Sequence, residues 1–552
     1  MTRAQAPLMG QMMQMPLMIS SLLVHAARHA GDTEIVSKRV EGDIHRSTYR
    51  DAELRARKLA QALARLGCGS GERVATLAWN GYRHFEIYYA TSGSQLVCHT
   101  INPRLFPEQI VWIANDAQDH VLCFELSFLP LIEKLHSQLG SVRHFVLMTD
   151  RAHMPAQTGI PNLLCYEELV EAEDGAWRWS DFDENTASTL CYTSGTTGNP
   201  KGALYSHRST LLHTYGLAMP NAMNISALDV ILPVVPMFHV NAWGVPYAAA
   251  AVGAKLVFPG PYLDGKSLYE LMQAERVTFS AGVPTVWLGL ITYMQQNKLQ
   301  FSTLRRTVIG GSACPPAMMR TLEDEFGVEV IHAWGMTELS PLGTVSRLKA
   351  KHAALDDRAK HRLLETQGTA LYGVDMEIID DDGRPLPWDG QASGNLVVRG
   401  PWVIQSYFGL EASPLVDVDG VPWFPTGDVA AIDADGYMQI TDRSKDVIKS
   451  GGEWISSIDL ENIAMAHPAV HEAAAIASRH PKWDERPLLV VVKKPGAEVT
   501  RDEILAFFDG RIAKWQIPDD VVFVTEIPHT ATGKIQKLKL REQFKHHKLP
   551  TA

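Results

Sequence analysis

Cysteine is scarce in this chain: six residues in 552, at Cys68, Cys98, Cys123, Cys165, Cys191 and Cys314, with no C-x-x-C pair. That pattern excludes a disulfide framework and a zinc site, and it fits reduced thiols in a cytoplasm. An excess of positive charge is also missing. Lys plus Arg is 51 against 62 for Asp plus Glu, a net charge of −11. A duplex nucleic-acid binder needs a basic face and is excluded. A nucleotide ligand is not, because a local nest of N–H groups can hold phosphates inside an acidic protein. Long uninterrupted apolar runs are lacking too. Residues 230–254 contain no Asp, Glu, Lys or Arg, but Pro233, Pro236, Pro246, His239 and Asn241 interrupt them. They read as buried strand and loop, with no membrane span. Pro16 to Val24 has the look of a signal core. Arg3 lies far upstream, however, His25, Arg28 and His29 follow at once, and no small-residue cleavage motif is seen, so a docking first helix is expected. Compositional bias is absent: 46% hydrophobic and 20% charged residues are ordinary for a globular enzyme. At 552 residues the chain exceeds one hydrophobic core, so several subdomains are expected.

Asp51 to Leu66 carries a helical pattern, closed by Gly67, Gly69 and Gly71, and Val74 to Ala78 reads as a short buried strand. Helix followed by strand recurs at Leu268–Glu275 and Val277–Ser280, and at Met318–Phe326 and Val328–His332. Such alternation predicts parallel sheets covered by helices. After Gly368, the punctuation by Asp381-Asp382-Gly383, Asp419-Gly420 and Asp435-Gly436 predicts hairpins and a small antiparallel β subdomain. Beyond a boundary near Asp442–Lys445, a compact α+β segment is expected, with helices from Ser457 and Arg501 and strands at Ala473–Ser478 and Leu488–Lys493. The closing run of Lys537, Lys539, Arg541, Lys545 and Lys548 reads as a solvated helix face.

The sharpest segment is Tyr192-Thr-Ser-Gly-Thr-Thr-Gly-Asn-Pro-Lys201-Gly202, which follows a candidate strand at Ala187–Cys191. Gly195 and Gly198 let the backbone approach a ligand closely. Thr193, Ser194, Thr196 and Thr197 offer hydroxyls, and Lys201 is a point charge for an anion. The combination points to polyphosphate. An ordinary NTPase P-loop fails twice: Pro200 precedes Lys201, and Gly202 leaves no hydroxyl there for Mg²⁺. Glycines at Gly310 and Gly311, before Ser312 and Ala313, follow a strand end. They would let a planar ring pack on backbone, and they also suit a strand-to-helix turn opened by Pro315 and Pro316.

The phosphate loop resembles the signature of the adenylate-forming superfamily, which includes acyl- and aryl-CoA ligases, peptide-synthetase adenylation domains and beetle luciferases. The resemblance runs in the family's order from about Ser47 to Lys534. Within the family, Ile101-Asn102-Pro103-Arg104-Leu105, the Met-rich start and Met237 to Trp243 look like the branch of medium-chain fatty acyl-CoA and 3-methylmercaptopropionate–CoA ligases. It implies a large N-terminal domain of stacked parallel α/β sheets with a small β-barrel-like subdomain, residues 1–442, hinged to a small mobile α+β domain, residues 443–552. Carried over residue by residue, Pro236-Met237-Phe238-His239 puts His239 at the acyl pocket, with Val240, Trp243 and Gly310 beside it. Trp243 follows His239 by four residues, which on a helix gives both one face and makes the indole a floor for the acyl tunnel. Gly311, Ser312 and Ala313 would contact adenine. In Trp334-Gly335-Met336-Thr337-Glu338, Trp334 would stack on adenine, Gly335 and Met336 would line the nucleotide, Thr337 would touch the α-phosphate or carboxylate, and Glu338 would bind Mg²⁺. The family's Tyr is Trp here, so stacking survives and a phenolic hydroxyl is lost. Asp428 of Thr426-Gly427-Asp428 and Arg443 would hold ribose, and Lys445 would be the hinge. Ser450, Gly451 and Gly452 would face the CoA tunnel, and Lys534 of Thr532-Gly533-Lys534 would be the mobile catalytic lysine. Asn395 stands where Glu is usual and is given no role.

The expected activity is an ATP-, Mg²⁺- and CoA-dependent ligase for a short- or medium-chain acid, acting through acyl-AMP. The partners are then small molecules, without nucleic acid or a membrane span, and a homodimer is compatible. A stand-alone adenylation enzyme that loads a carrier protein shares the first half-reaction and is the alternative. A non-catalytic nucleotide binder is disfavoured by Lys201, Glu338, Asp428, Arg443 and Lys534 together, and no feature favours a luciferase-like oxygenase.

Overall fold

The computed structural model describes residues 8–193, 199–443, 445–450, 453–529 and 535–552. Ser194, Gly195, Thr196, Thr197, Gly198, Gly451, Gly452 and Lys534 lie outside the described residues.

Local rules set the elements. The helix Tyr49–Arg65 starts where the Thr48 hydroxyl accepts from the Asp51 N–H and the Asp51 carboxylate accepts from the Thr48 N–H at 3.0 Å. The helix Arg501–Phe507 starts in the same way with Thr500 and Glu503. Asp419 and Gly420 both have positive φ, 52° and 79°, and they join Val416–Val418 to Val421–Ile432 by the two-residue turn that the right-handed twist of a hairpin favours.

These elements build two large sheets. The first orders its strands Leu164–Cys165, His144–Leu147, Asp119–Phe124, Arg73–Leu77, Val97–Thr100, Ala187–Tyr192 and Gly202–Ser206, parallel except for the last pair. The second runs Thr369–Ala370, Leu342–Val345, Glu329–Gly335, Arg306–Ile309, Phe279–Gly282, Val230–Pro233, Lys255–Phe258, Glu34–Lys38 and Ile44–Thr48. Its centre is parallel and its edges antiparallel. One continuous apolar cluster, including Tyr88, Tyr247, Phe85 and Phe258, packs between the helices and both sheets. An antiparallel sheet of Asp375–Ile379, Ser393–Arg399, Val421–Ile432, Val416–Val418 and Met438–Arg443 follows. The chain then passes to a smaller C-terminal sheet, in which Val470–His480 pairs with Asp484–Lys493, and Asp484–Lys493 pairs in parallel with Asp520–Val524. A large N-terminal α/β domain and a smaller C-terminal domain result. The helix Ile19–His29 docks its Ile19, Leu22, Leu23 and Ala26 face into the core.

Three readings need correction. Residues 230–254 are strand and then helix, not strand and loop: Val245–Val252 is helical, with Pro246 in the first turn, where its missing N–H costs nothing, and a run of alanines behind it. The helix in Met318–Phe326 widens to a π turn at Thr321–Glu325. The closing basic run is not simply a solvated face. Lys537 is half-buried and ion-paired with Glu461 at 2.7 Å, and Arg541 pairs with Asp446 at 2.6 Å.

A buried charge network lies beneath the first sheet. Arg83 donates to Glu41 and Glu167, both at 2.7 Å, and Arg55 to Glu86 at 2.6 Å and Glu167 at 2.8 Å. Glu125, 8% exposed, lies close by without such a mate: its Oε2 has no hydrogen-bond partner among the described residues. Burial pushes its carboxyl up to about 8, with nearby Glu41 adding and Arg83 opposing. The unfolded chain ionises this group near 4.5, while the fold keeps it protonated up to about 8. Its contribution to stability is therefore complete below pH 4.5 and is lost as pH rises through that window. Glu125→Gln removes the titration. The stability difference in favour of the variant should grow by on the order of 3 kcal/mol between pH 5 and pH 8.5 in urea unfolding. Parallel pH curves for the two proteins would show that Glu125 ionises freely in the fold.

Candidate active site

The loop after Ala187–Tyr192 is closed at its mouth. The Thr193 N–H donates to the Lys201 carbonyl at 2.9 Å, and the Lys201 N–H donates to the Thr193 hydroxyl at 3.2 Å. Lys201 is solvent-exposed, and its Nζ lies 4.9 Å from the centre of the Tyr407 ring, within cation–π range. Two strands of the first sheet thus hold the two ends of the expected phosphate loop.

The second sheet supplies the facing side. The strand Glu329–Gly335 ends in a short turn, Thr337–Leu339. Gly335 is required there, because a Cβ would lie 2.2 Å from the Pro341 carbonyl. The Met336 N–H donates to that carbonyl at 3.0 Å. Glu338 is buried, and its Oε1 accepts from the Tyr407 hydroxyl at 2.7 Å. The Tyr205 hydroxyl, on the strand that follows Lys201, donates to the Thr337 carbonyl at 2.5 Å. Lys201, Tyr407, Tyr205, Thr337 and Glu338 therefore form one connected group. A hard carboxylate that can share a cation with phosphate oxygens fits Mg²⁺.

On the third sheet, Asp428 and Arg443 are directly opposite across a strand pair. The Arg443 Nε donates to Asp428 Oδ1 at 2.8 Å, and the Trp334 indole N–H donates to Asp428 Oδ2 at 3.0 Å. Asp428 is 2% exposed, and the Thr426 hydroxyl accepts its N–H at 3.1 Å. Tryptophan in place of the family's tyrosine thus supplies a donor of its own. Its ring lies on Gly343, where a Cβ would come within 2.5 Å of it.

At the expected acyl pocket, His239 lines a small recess with Thr100, Asn102, Tyr192, Thr193 and Phe238. The helical spacing between His239 and Trp243 does not hold. Val240, Asn241, Ala242 and Trp243 all have positive φ, 46° to 57°, and form a left-handed turn that ends at Gly244. Such a turn costs roughly 1–2 kcal/mol per residue, so its surroundings must impose it. The Asn80 side chain does so by donating to the carbonyls of Pro233 and Val235 and accepting the Met237 N–H at 2.6 Å. The Tyr88 hydroxyl donates to the Met237 carbonyl, and the Ala242 N–H donates to Pro236 O at 3.2 Å. The turn lays the buried Trp243 indole along the Gly310–Gly311 backbone, 3.5 and 3.6 Å from where their Cβ atoms would be. These two glycines thus have the chain's own indole packed on one side. Gly311 and Ser312 form a bend, with Ser312 exposed, and Ala313 follows before the helix Pro316–Arg320.

Ser450 and Lys445 are described beyond Arg443. Ser450 ends the strand Ile448–Ser450 and accepts from Arg486 at 3.1 Å. Lys445 lies between Arg443, Arg541 and Asp446; burial holds its ammonium below the ordinary lysine range, and the two arginines add to the effect. Asp442 accepts the N–H of Ser457, the first residue of the helix Ser457–Met465, at 2.7 Å, which ties the third sheet to the C-terminal domain.

Tyr407 and Tyr205 were not foreseen from the sequence. Tyr205 sits in a plain strand pattern and Tyr407 in a loop, and neither neighbourhood carries a signal.

The model of the AMP-binding enzyme family matches residues 23–408, and that of the AMP-binding enzyme C-terminal domain matches residues 459–534. The 3-methylmercaptopropionyl-CoA ligase of Ruegeria lacuscaerulensis is 55% identical over 538 residues, covering 98% of this chain and 99% of the relative. The medium-chain-fatty-acid–CoA ligase of Ectopseudomonas oleovorans is 54% identical over 537 residues, covering 97% and 98%. The crystal structure of the anthranilate CoA ligase AuaEII in complex with anthranoyl-AMP has the same fold, with a TM-score of 0.84 at 24% identity over 96% of this chain and 98% of that one. With the two large sheets, the smaller C-terminal domain and nearly full-length kinship to such enzymes, the chain belongs to the AMP-binding, adenylate-forming enzyme family.

Proposed function

We propose that this protein is an AMP-forming carboxylate–CoA ligase that takes ATP, Mg²⁺, CoA and a short- or medium-chain acid, fatty or 3-methylmercaptopropionate. The observation that carries the reading is the meeting of three sheets. Lys201 comes from the first, Thr337 and Glu338 from the second, and Asp428 with Arg443 from the third. The relatives named above are CoA ligases and lend nothing to the carrier-protein alternative.

In the first step a carboxylate oxygen bonds to the α-phosphorus of ATP as the bond to the β-phosphate oxygen breaks, giving acyl-AMP and pyrophosphate. Lys201, with Thr193, Ser194, Gly195, Thr196, Thr197 and Gly198, cradles the phosphates. Asp428 and Arg443 hold the ribose hydroxyls, Trp334 with Gly335, Met336, Gly311, Ser312 and Ala313 faces adenine, and Thr337 and Lys534 orient the carboxylate. When bound, Mg²⁺ supplies neutralisation of phosphate charge, and Glu338 is the carboxylate that would hold it. In the second step the CoA thiol loses its proton and its sulfur bonds to the acyl carbon as the bond to AMP breaks. Residues 443–552 act as a mobile domain hinged at Lys445, which brings Ser450, Gly451 and Gly452 to the pantetheine arm. Among the described residues no helix is long and apolar enough to cross a membrane. The unpaired cysteines favour the cytoplasm. A homodimer is part of the same reading and is tested by sedimentation.

The acyl end lies at His239, Val240, Trp243 and Gly310. Because the indole covers the two glycines, Trp243→Ala should raise relative activity on longer acids in a C3 to C12 panel read by pyrophosphate release. A uniform fall across the panel would remove the indole from the tunnel.

Domain alternation gives a crossed prediction. Lys534→Ala should slow adenylation by roughly 10²–10³-fold, while synthetic acyl-AMP plus CoA largely bypasses the defect. Gly452→Leu should do the reverse, sparing pyrophosphate release and blocking thioester formation. Equal slowing of both steps in both folded variants would mean that one static site serves both reactions.

A further inference from the structure

The cation and the carboxylate of this site belong to different sheets, and one side chain touches both. Tyr407 lies in the irregular segment between Ser393–Arg399 and Val416–Val418. Its hydroxyl donates to Glu338 Oε1 at 2.7 Å, and its ring face lies 4.9 Å from Lys201 Nζ. The backbone around it makes the same bridge. The Ile404 N–H donates to the Glu338 carbonyl at 2.9 Å, and the Phe408 N–H donates to the carbonyl of Gly202, next to Lys201, at 2.8 Å. Upstream, the Ser340 hydroxyl donates to the Trp402 carbonyl at 2.9 Å, and the Trp402 indole donates to the Leu342 carbonyl at 3.1 Å. Residues 402–408 are thus a splint pinned to the Glu338 turn at one end and to the Lys201 strand at the other. Packing alone does not require a hydroxyl at Tyr407; the bond to Glu338 does.

We propose that Tyr407 is a positioning residue that sets the Glu338 carboxylate and the Lys201 ammonium at a fixed separation and gives each a partner that leaves its charge intact. A buried carboxylate and an exposed ammonium at the rim of one seam attract each other. If they collapsed on each other, the carboxylate would be lost to a cation and the ammonium to a phosphate. A phenol avoids this. Its hydroxyl hydrogen-bonds the carboxylate without neutralising it, and the π-face holds the ammonium without an anion. Phenylalanine would serve only the lysine, and an aliphatic residue would serve neither. The inference rests on reading Glu338 as the Mg²⁺ carboxylate and Lys201 as the phosphate cation.

The test separates the two contacts without turnover. Tyr407→Phe and Tyr407→Leu are compared with the parent protein by calorimetry, with no acid present. ATP and AMP are titrated in EDTA, and Mg²⁺ is titrated into the enzyme–ATP complex. Tyr407→Phe should raise the half-saturating Mg²⁺ about tenfold while leaving ATP affinity in EDTA unchanged. Tyr407→Leu should show at least that Mg²⁺ defect and also weaken ATP about three- to fivefold in EDTA. AMP, which lacks the β- and γ-phosphates, should bind all three proteins alike. In the full reaction the Mg²⁺ requirement for pyrophosphate release should shift by the same factor, with the KM for the acid constant. An unchanged Mg²⁺ titration in Tyr407→Phe overturns the carboxylate half. Equal ATP affinity in the Phe and Leu variants overturns the lysine half. A joint fall of AMP, ATP and Mg²⁺ affinity with the melting midpoint makes Tyr407 a packing residue and overturns both. Glu338→Gln and Lys201→Ala run alongside. If they leave Mg²⁺ and ATP binding untouched, the reading of the site fails and takes the inference with it. If they shift as expected and the Tyr407 variants do not, only the inference fails.

Discussion

The hydrogen bond from the Tyr205 hydroxyl to the Thr337 carbonyl is the constraint on which the site depends. The first sheet carries the ends of the expected phosphate loop and the second carries the Glu338 turn, and among the described residues no strand of one sheet pairs with a strand of the other, although Asn80 and Gly260 form an isolated bridge. Side-chain contacts across the seam therefore add to that bridge in setting their relation. Tyr205 is fully buried at the point of contact, so its bond is made in a low-dielectric setting where leaving either group unpaired would be costly. Nearby, the Leu342 N–H donates to the His213 ring at 3.1 Å, and burial depresses the His213 imidazole to about 3, so it stays neutral and accepts. Bonds made by side chains from one sheet to the main chain of the other fix the seam more sharply than apolar packing alone, which is non-directional.

The same logic explains why strain is tolerated at the turn 240–243. Four consecutive residues in the left-handed region cannot persist through local preference. They persist because Asn80, in the first sheet's territory, has its side-chain amide committed to three main-chain groups around Pro233–Met237. The turn is over-determined from outside, and the outcome is one buried indole aimed at two glycines. Strain of this kind clusters at sites where a side chain must be held in a position that no regular element offers.

Much of the architecture was legible in the residues because it follows from local rules. Thr48 with Asp51 starts a helix, Asp419-Gly420 closes a hairpin, and alternating helix and strand patterns require parallel sheets. Asp428 and Arg443, singled out as a pair by resemblance, face each other across strands. What escaped depends on distant partners. The helical spacing of His239 and Trp243 was a sound local argument, overridden by anchors from Asn80 and Tyr88. Lys537 looked like one charge in a solvated run, yet Glu461 and Asp442 on other elements surround it. Tyr407 is 69 residues from Glu338 in sequence and far from Lys201, so no window of sequence could connect the three.

These misses share a physical origin, and it bears on how such an enzyme can take different acids. The groups proposed for the nucleotide sit on strand ends or tight turns, where backbone hydrogen bonding leaves little latitude: Gly335 admits no Cβ, and Asp428 and Arg443 are locked in cross-strand register. The proposed acyl end instead rests on an irregular turn fixed by side chains, with Trp243 in contact range of Gly310 and Gly311. A substitution there changes volume without disturbing a ladder of backbone bonds. On the proposed roles, the nucleotide half is therefore constrained by the fold itself, and the acid half by a few side chains that can be exchanged. Thus the chemistry of activation is readable from short motifs, whereas the identity of the acid depends on the shape of a turn whose hand no local pattern encodes.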